Sequence, residues 1–158
     1  MASDRGGDSR PTIRRESTEP NSMNKRDSDW RFVCININNF PSERNGIDKA
    51  KFDLLKSTLY NCEADVMGIT ELGRNEYEMQ LKNRPSEVSK QWFEQGLALS
   101  AWNQDSNSTY EPGGTMVITR DRSSAHTVKK GIDERKLGRW VWVTVKGKQE
   151  RTTTVITT

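Results

Sequence analysis

One histidine and two cysteines in 158 residues leave little from which a thiolate–imidazole metal centre could be assembled. Cys34 and Cys62 form no Cys-x-x-Cys pair, and His126 has no second histidine near it, so zinc-binding sets find no support. Two scattered cysteines do not make a disulfide scaffold either; a reduced, intracellular protein is expected, with Cys34 read as a small buried apolar residue. Apolar residues are scarce too, at 32% hydrophobic against 30% charged, which is low for a chain built round one large core. No apolar run approaches the ~20 residues that cross a bilayer. The amino terminus lacks the apolar centre of a secretion signal, so neither membrane insertion nor export is expected.

Much of the polarity is concentrated at one end. Residues 1–29 hold only Met1, Ala2, Ile13 and Met23 as apolar side chains, with six basic and six acidic residues in balance. Too little apolar surface is present there to offset the entropy of ordering the chain, and a disordered mixed-charge tail is expected. The net charge of +3 therefore belongs to residues 30–158, where 19 Lys and Arg face 16 Asp and Glu. So mild an excess fits a nucleic-acid partner and an ordinary solvated surface equally well.

What is present begins at Trp30. Residues 30–37 carry Val33, Ile35 and Ile37 on one alternating face and Phe32 and Cys34 on the other, the pattern of a strand covered on both sides. Asn39, Pro41, Ser42, Asn45 and Gly46 break it. From Asp48 to Tyr60, Phe52, Leu55 and Leu59 share a helical face with Leu54 beside them, Lys49, Lys51, Asp53 and Lys56 face water, and Asp48 or Asn45 caps the start. Residues 64–70 return as a second interior strand, with Asp65 as a cap or turn residue. Strand, helix and strand in this order predict a right-handed crossover with parallel strands. Asn36 and Glu71, 35 positions apart, would then emerge side by side at the edge where ligands of such sheets bind.

Further on, Tyr77 and Leu81 share a helical face, and Pro85-Ser86 opens a helix carrying Val88, Trp92 and Phe93 that Gly96 ends. Strands are expected from Leu97 and from Thr115 to Thr119. Asp121 to Gly138 reads as charged and mostly irregular, with Lys129-Lys130 and Arg135-Lys136 in solvated loops that could touch a DNA backbone. Trp140 to Val145, a Gly147 turn and Arg151 to Thr158 make a hairpin. The sequence stops inside its second strand, which suggests a truncated domain. Trp140 and Trp142 share a face and read as core packing between sheet and helix; His126 reads as a surface residue.

Taken in order, Asn36-Ile37-Asn38 at a strand end, Thr70-Glu71-Leu72 after the next strand, Gly113-Gly114-Thr115 opening another and the late hairpin resemble the endonuclease/exonuclease/phosphatase superfamily. Within it, the nearest likeness is to the apurinic-endonuclease-like nucleases of retroelements, supported by Gly131-Ile132-Asp133 and by Leu137 through Trp142. Asn39 stands where many relatives have Gly, and Leu72 replaces the usual Thr. The resemblance implies an α/β (α+β) fold, a four-layered αββα sandwich of the DNase I-like kind, with residues 30–158 as its N-terminal half. It implies divalent-metal-dependent phosphodiester hydrolysis of DNA, or of RNA, with Mg²⁺ or Mn²⁺ as cofactor and a reverse transcriptase domain encoded downstream. Glu71 is its expected catalytic metal ligand, and Asn36 its second catalytic and metal- or phosphate-contacting residue. In relatives a Tyr, an Asp-x-Asn, another Asn and a terminal Asp-His pair complete the site; none has a counterpart before Thr158, and His126 matches no catalytic position.

The chemistry suits these residue types. A hard cation neutralises phosphate oxygens and the departing oxygen while bound through one or two carboxylates. An amide contacts phosphate or metal-bound water without adding charge that repels the substrate, and Asn38 would support the strand end. The water-orienting base and the phosphate-contacting imidazole would lie outside this chain, so the segment alone is expected to be inactive. Two other readings stay open: the same fold acting as a phosphatase or phosphodiesterase on another phosphoester, and a non-catalytic or decayed nucleic-acid-binding remnant. For Asn36 alone the plain reading is an amide pinning a loop after a strand.

Overall fold

A computed structural model describes residues 26, 28–41, 48–76, 79–93, 95–104 and 112–158. Apart from its last few positions, the tail expected over residues 1–29 lies outside the described residues, as do Asn45 and Tyr77.

The crossover forms as expected. Strand β1 (Phe32–Asn36) runs parallel to β2 (Val66–Thr70), and helix α1 (Lys49–Asn61) joins them. The Asp48 side chain caps α1 by accepting the Lys51 N–H, which satisfies one of the first-turn donors that a helix leaves unpaired. Pro85 at the first helical position opens α2 (Pro85–Lys90). Strands β3 (Leu97–Ala101) and β4 (Thr115–Thr119) are antiparallel to each other, and β4 pairs antiparallel with β2, giving the sheet order β1-β2-β4-β3.

Alternation then sorts the side chains of this sheet. Met67, Ile69, Met116, Ile118 and Ala98 face α1 and α2, where Leu55, Leu59, Val88, Trp92 and Phe93 complete one core. On the opposite face, Val66, Val117 and Ala101 meet Val141, Val143 and Val145 from a second sheet in a separate core. Burying a side chain such as Leu59 or Val143, both at 0% exposure, contributes about 2–3 kcal/mol before ordering costs. The second sheet has the order β5-β6-β7, all antiparallel, from β5 (Thr127–Ile132), β6 (Val141–Lys146) and β7 (Thr152–Thr157). Gly68 makes a close approach between the sheets possible, because a Cβ there would sit 2.5 Å from the Thr157 hydroxyl. The layers are thus helix, sheet and sheet, a mixed α/β architecture that matches the first three layers of the expected αββα sandwich.

Several expectations need correction. The 121–138 stretch is not irregular: α3 (Asp121–Ala125) and β5 occupy most of it. Exposed Lys129 and Lys130 therefore ride on an edge strand, where lysine discourages further strand pairing. Strand β1 is not covered on both faces. The second sheet stops short of it, leaving Phe32 43% exposed and Cys34 exposed instead of buried. Trp140 and Trp142 do not pack between sheet and helix. They are half-buried on the outer side of the second sheet, where they line an open apolar depression of about 520 Å³ with Thr154, Ile156 and Thr158. Gly131 lies opposite Trp142 in the register; a Cβ there would meet the indole at 2.6 Å, so glycine is what lets the ring cross β5.

The smaller readings hold. His126 is exposed. Asp65 is a turn residue whose carboxylate accepts the Arg31 N–H at 2.7 Å, at the entrance to β1.

Candidate functional site

Parallel β1 and β2 bring their carboxyl ends to one edge, with Asn36 paired to Thr70 and Glu71 next in line. Antiparallel β4 brings its amino end there, preceded by Gly113 and Gly114, and β3 brings its carboxyl end. The second sheet adds the start of β6 and the end of β7, since Val141 pairs with Thr157. A cleft of about 270 Å³ opens among them, lined by Glu71, Thr70, Gly113–Thr115, Arg139 and their neighbours.

The backbone at this edge is unusual. Asn38, Asn39, Glu71, Gly73, Gly113, Gly114 and Gly138 all have left-handed φ, between 43° and 87°. Glycine adopts that conformation without strain, whereas a glutamate at φ 60° is held there against about 1–2 kcal/mol. What holds Glu71 is pairing on both sides. Its carbonyl accepts the Asn39 N–H at 2.8 Å, the Leu72 carbonyl accepts from Phe40 at 2.7 Å, and the Leu72 and Gly73 N–H groups donate to Gly114 and Gly113. Asn39 in turn lies against Gly73, in space that any side chain at position 73 would occupy. Strain of this kind, over-determined by its surroundings, concentrates at functional positions.

Glu71 is exposed and lines the cleft. Asn36 stands on the same edge but borders a different, smaller depression of about 180 Å³ between β1 and α1. Its Oδ1 accepts the Asn38 N–H at 3.0 Å, which is the loop-pinning role. An amide so engaged still has its N–H₂ group to offer an anion. The edge thus gathers the two expected residues without placing them in one cavity.

Three residues escaped the sequence reading. Lys51 does not simply face water; its ammonium donates to the Asn38 and Asn39 carbonyls at 3.2 and 2.7 Å and fixes the loop beside Glu71. Arg139, one position past a glycine that needs φ 70°, lines the cleft, while Arg135 and Lys136, expected in a solvated loop, are exposed. Thr115 is 4% exposed on the cleft wall, and its hydroxyl has no hydrogen-bond partner among the described residues. Only the Gly138-Arg139 pair carried a readable signal, a residue type suited to left-handed backbone placed before a cation.

As a metal site the cleft is minimal. Among the described residues no three His, Cys, Asp or Glu side chains gather. One carboxylate in an open cleft still suits Mg²⁺, which binds through one or two carboxylates, keeps several waters and takes substrate phosphate as its remaining partner. It does not suit Zn²⁺, whose sites need three or four protein ligands.

No protein-family model matches the sequence, and no curated protein matches it. Solved structures with a similar course of chain include the 3′ phosphatase NExo from Neisseria bound to a product DNA hairpin, at 13% identity and TM-score 0.45, covering 81% of this chain and 40% of that one. An AP endonuclease from Archaeoglobus fulgidus matches at 9% identity and TM-score 0.45 over 75% of this chain and 38% of that one. The 3′-5′ exonuclease NExo from Neisseria meningitidis matches at 15% identity and TM-score 0.41, over 78% and 38% respectively. The chain therefore spans about two-fifths of the length of these structures.

Proposed function

We propose that the Glu71 cleft is one half of a divalent-metal-dependent phosphodiesterase site for DNA, with residues 30–158 supplying the half that grips metal and phosphate. The observation that carries this reading is a lone glutamate held in left-handed backbone at the mouth of a cleft whose wall bears an arginine, two glycines and an unpartnered threonine hydroxyl. Glu71 holds the cation, Mg²⁺ or Mn²⁺. When bound, that cation neutralises the phosphate and assists the departing oxygen. Arg139 offers a planar, permanently charged donor to phosphate oxygens, and the Thr115 hydroxyl and Asn36 amide donate without adding negative charge. Gly113 has open space where a Cβ would be, so substrate can approach the backbone closely there.

The preference for DNA rests on the retroelement-like Asn36-Ile37-Asn38 strand end and the Leu137-to-Trp142 segment that carries Arg139. Nothing among the described residues supplies a base to orient the attacking water, so the isolated chain binds metal and DNA without cutting. The test is Mn²⁺-induced broadening of the Leu72, Gly113 and Gly114 amide resonances, alongside a Mg²⁺-dependent nicking assay on supercoiled DNA. Broadening that vanishes in Glu71→Gln, with no nicking by either protein, is expected. Broadening that persists in Glu71→Gln would sink the metal assignment. Robust nicking abolished in Glu71→Ala would show that the site is complete, not half of one.

A further inference from the structure

Arg139 reaches the cleft from the eight-residue loop 133–140 between β5 and β6, and that loop is organised round a single buried carboxylate. Asp133 is 3% exposed. Its Oδ1 accepts the Arg135 N–H at 2.9 Å, and its Oδ2 accepts the N–H groups of Leu137 and Arg139, each at 3.2 Å. Its own N–H donates to the Trp140 carbonyl at 3.0 Å and closes the loop, while its carbonyl accepts from Lys136 at 3.0 Å. A buried anion is costly unless its oxygens are satisfied; here the backbone of the loop satisfies them. Burial alone would raise this acid, yet the N–H groups of Arg139, Arg135 and Leu137, with the nearby Arg139 charge, outweigh it and hold Asp133 below the usual carboxylate range.

The other side of the loop is fastened to the end of β3. Leu137 bridges to Asn103, and the Gln104 N–H donates to the Lys136 carbonyl at 2.8 Å. Gly138, at φ 70°, lies so close to Trp102 that a Cβ would fall 2.5 Å from its backbone. Leu137, Gly138 and Arg139 are the loop's contribution to the cleft wall, and Asp133 holds the N–H groups of the first and last of them.

We infer that Asp133 is a positioning residue for the cleft: by gathering the amides of Arg135, Leu137 and Arg139 it sets where the Arg139 guanidinium meets a substrate phosphate. This rests on the reading of the cleft as a phosphate site. Asp133 touches no substrate, and its effect passes through Arg139.

The test uses the full chain and a fluorescein-labelled DNA duplex, with affinity measured by anisotropy across a salt series and amide exchange read by NMR. Arg139→Ala should weaken binding roughly five- to tenfold near 0.1 M salt and lower the log–log salt slope by about 1, the loss of one phosphate contact. Asp133→Ser should strip exchange protection from the Arg135, Leu137 and Arg139 amides and lower the slope by the same amount. The double variant should lose nothing further. A purely structural role would lower the melting temperature and leave the slope unchanged. Gly138→Ala, which displaces the loop from Trp102 without removing a charge, should reproduce the slope change and decides the matter if Asp133→Ser does not fold. Wild-type affinity and slope in a folded Asp133→Ser that has lost its amide protection, or additive losses in the double variant, overturn the positioning role alone. An unchanged slope in Arg139→Ala, or no DNA binding by the wild-type chain, overturns the phosphate reading and the positioning role with it.

Discussion

Glu76 makes the stability of this fold depend on pH in the unusual direction. It is 1% exposed, one of its carboxyl oxygens has no partner among the described residues, and it sits where the segment after β2 meets α2 and β3. Burial pushes its acid up to about 7 from the usual 4.5. The Ser100 hydrogen bond and the Arg84 charge pull the other way, Glu87 adds to the rise, and Lys90 opposes it. Glu87 and Lys90 are themselves paired at 2.6 Å, which mutes both. Because the folded state holds this proton more tightly than the unfolded chain, its stabilisation is complete below about 4.5 and is lost as pH rises through about 7. Between pH 5 and 8 the loss is about 2.5 kcal/mol, most of it before pH 7, from a total near 3 kcal/mol. In melting temperature that is roughly 5–10 °C for a domain of this size. Glu76→Gln keeps a hydrogen-bonding partner for Ser100 and cannot ionise, so it should remove this slope. The assay is urea unfolding of both proteins at pH 5, 6, 7 and 8, comparing the difference in stability between them so that all other titrations cancel. Wild type should be the less stable protein at pH 8 and approach the variant at pH 5. Parallel curves would mean that Glu76 is solvated in the folded protein and would refute the reasoning.

Other consequences can be tested as directly. Glu71→Asn relieves left-handed strain, since Asn tolerates that conformation, and should raise stability by about 0.5–1 kcal/mol while Mn²⁺ broadening at Leu72 and Gly114 is lost; a fall in stability would mean that the carboxylate supports the fold. Gly68→Val drives a branched side chain into the Thr157 hydroxyl and should cost about 2–3 kcal/mol in urea unfolding, by overpacking between the sheets. Trp142→Thr removes one of the two tryptophans from the outer face of the second sheet and should reduce concentration-dependent association in sedimentation experiments without lowering the melting temperature by more than a few degrees.

The part of the fold that local pattern determines was legible. A two-residue period ending in Asn36, a helical period from Phe52 to Leu59 and a second apolar run to Thr70 specify a crossover, because each periodicity dictates which side chains share a face. Parallel strands then require a common edge for Asn36 and Glu71. The β6–β7 hairpin was readable for the same reason, since its β-branched runs flank a glycine turn. Strand β5 was not, because Lys129, Lys130 and Gly131 replace the apolar alternation that marks a strand; it forms because β6 offers a partner ladder and because Gly131 lets Trp142 lie across it. Helix α3, five residues long, is capped locally by Ser123 and Arg120 but is anchored by a tertiary bond from the Ser123 hydroxyl to the Asp65 carbonyl, a contact no local pattern announces.

Coverage is a different kind of property, and it explains both the misread faces and the cleft residues that spacing does not reveal. Phe32 and Cys34 alternate as regularly as Met67 and Ile69, yet only the latter are buried, because whether a face is covered depends on how far the facing sheet extends. Trp142 is likewise sheet-like in sequence and half-exposed in place. The cleft follows the same logic. Glu71 could be picked out because a strand and its end are local features, whereas Arg139 enters the cleft only because Asp133 gathers three amides and Gly138 allows a close pass by Trp102. Those are relations among residues brought together by two sheets, invisible to spacing. They also separate the two charged groups by origin, since Glu71 is delivered by the first sheet and Arg139 by a loop of the second. A change that slides one sheet on the other, as Gly68→Val should, must therefore disturb the placement of Arg139 relative to Glu71 before it unfolds the chain.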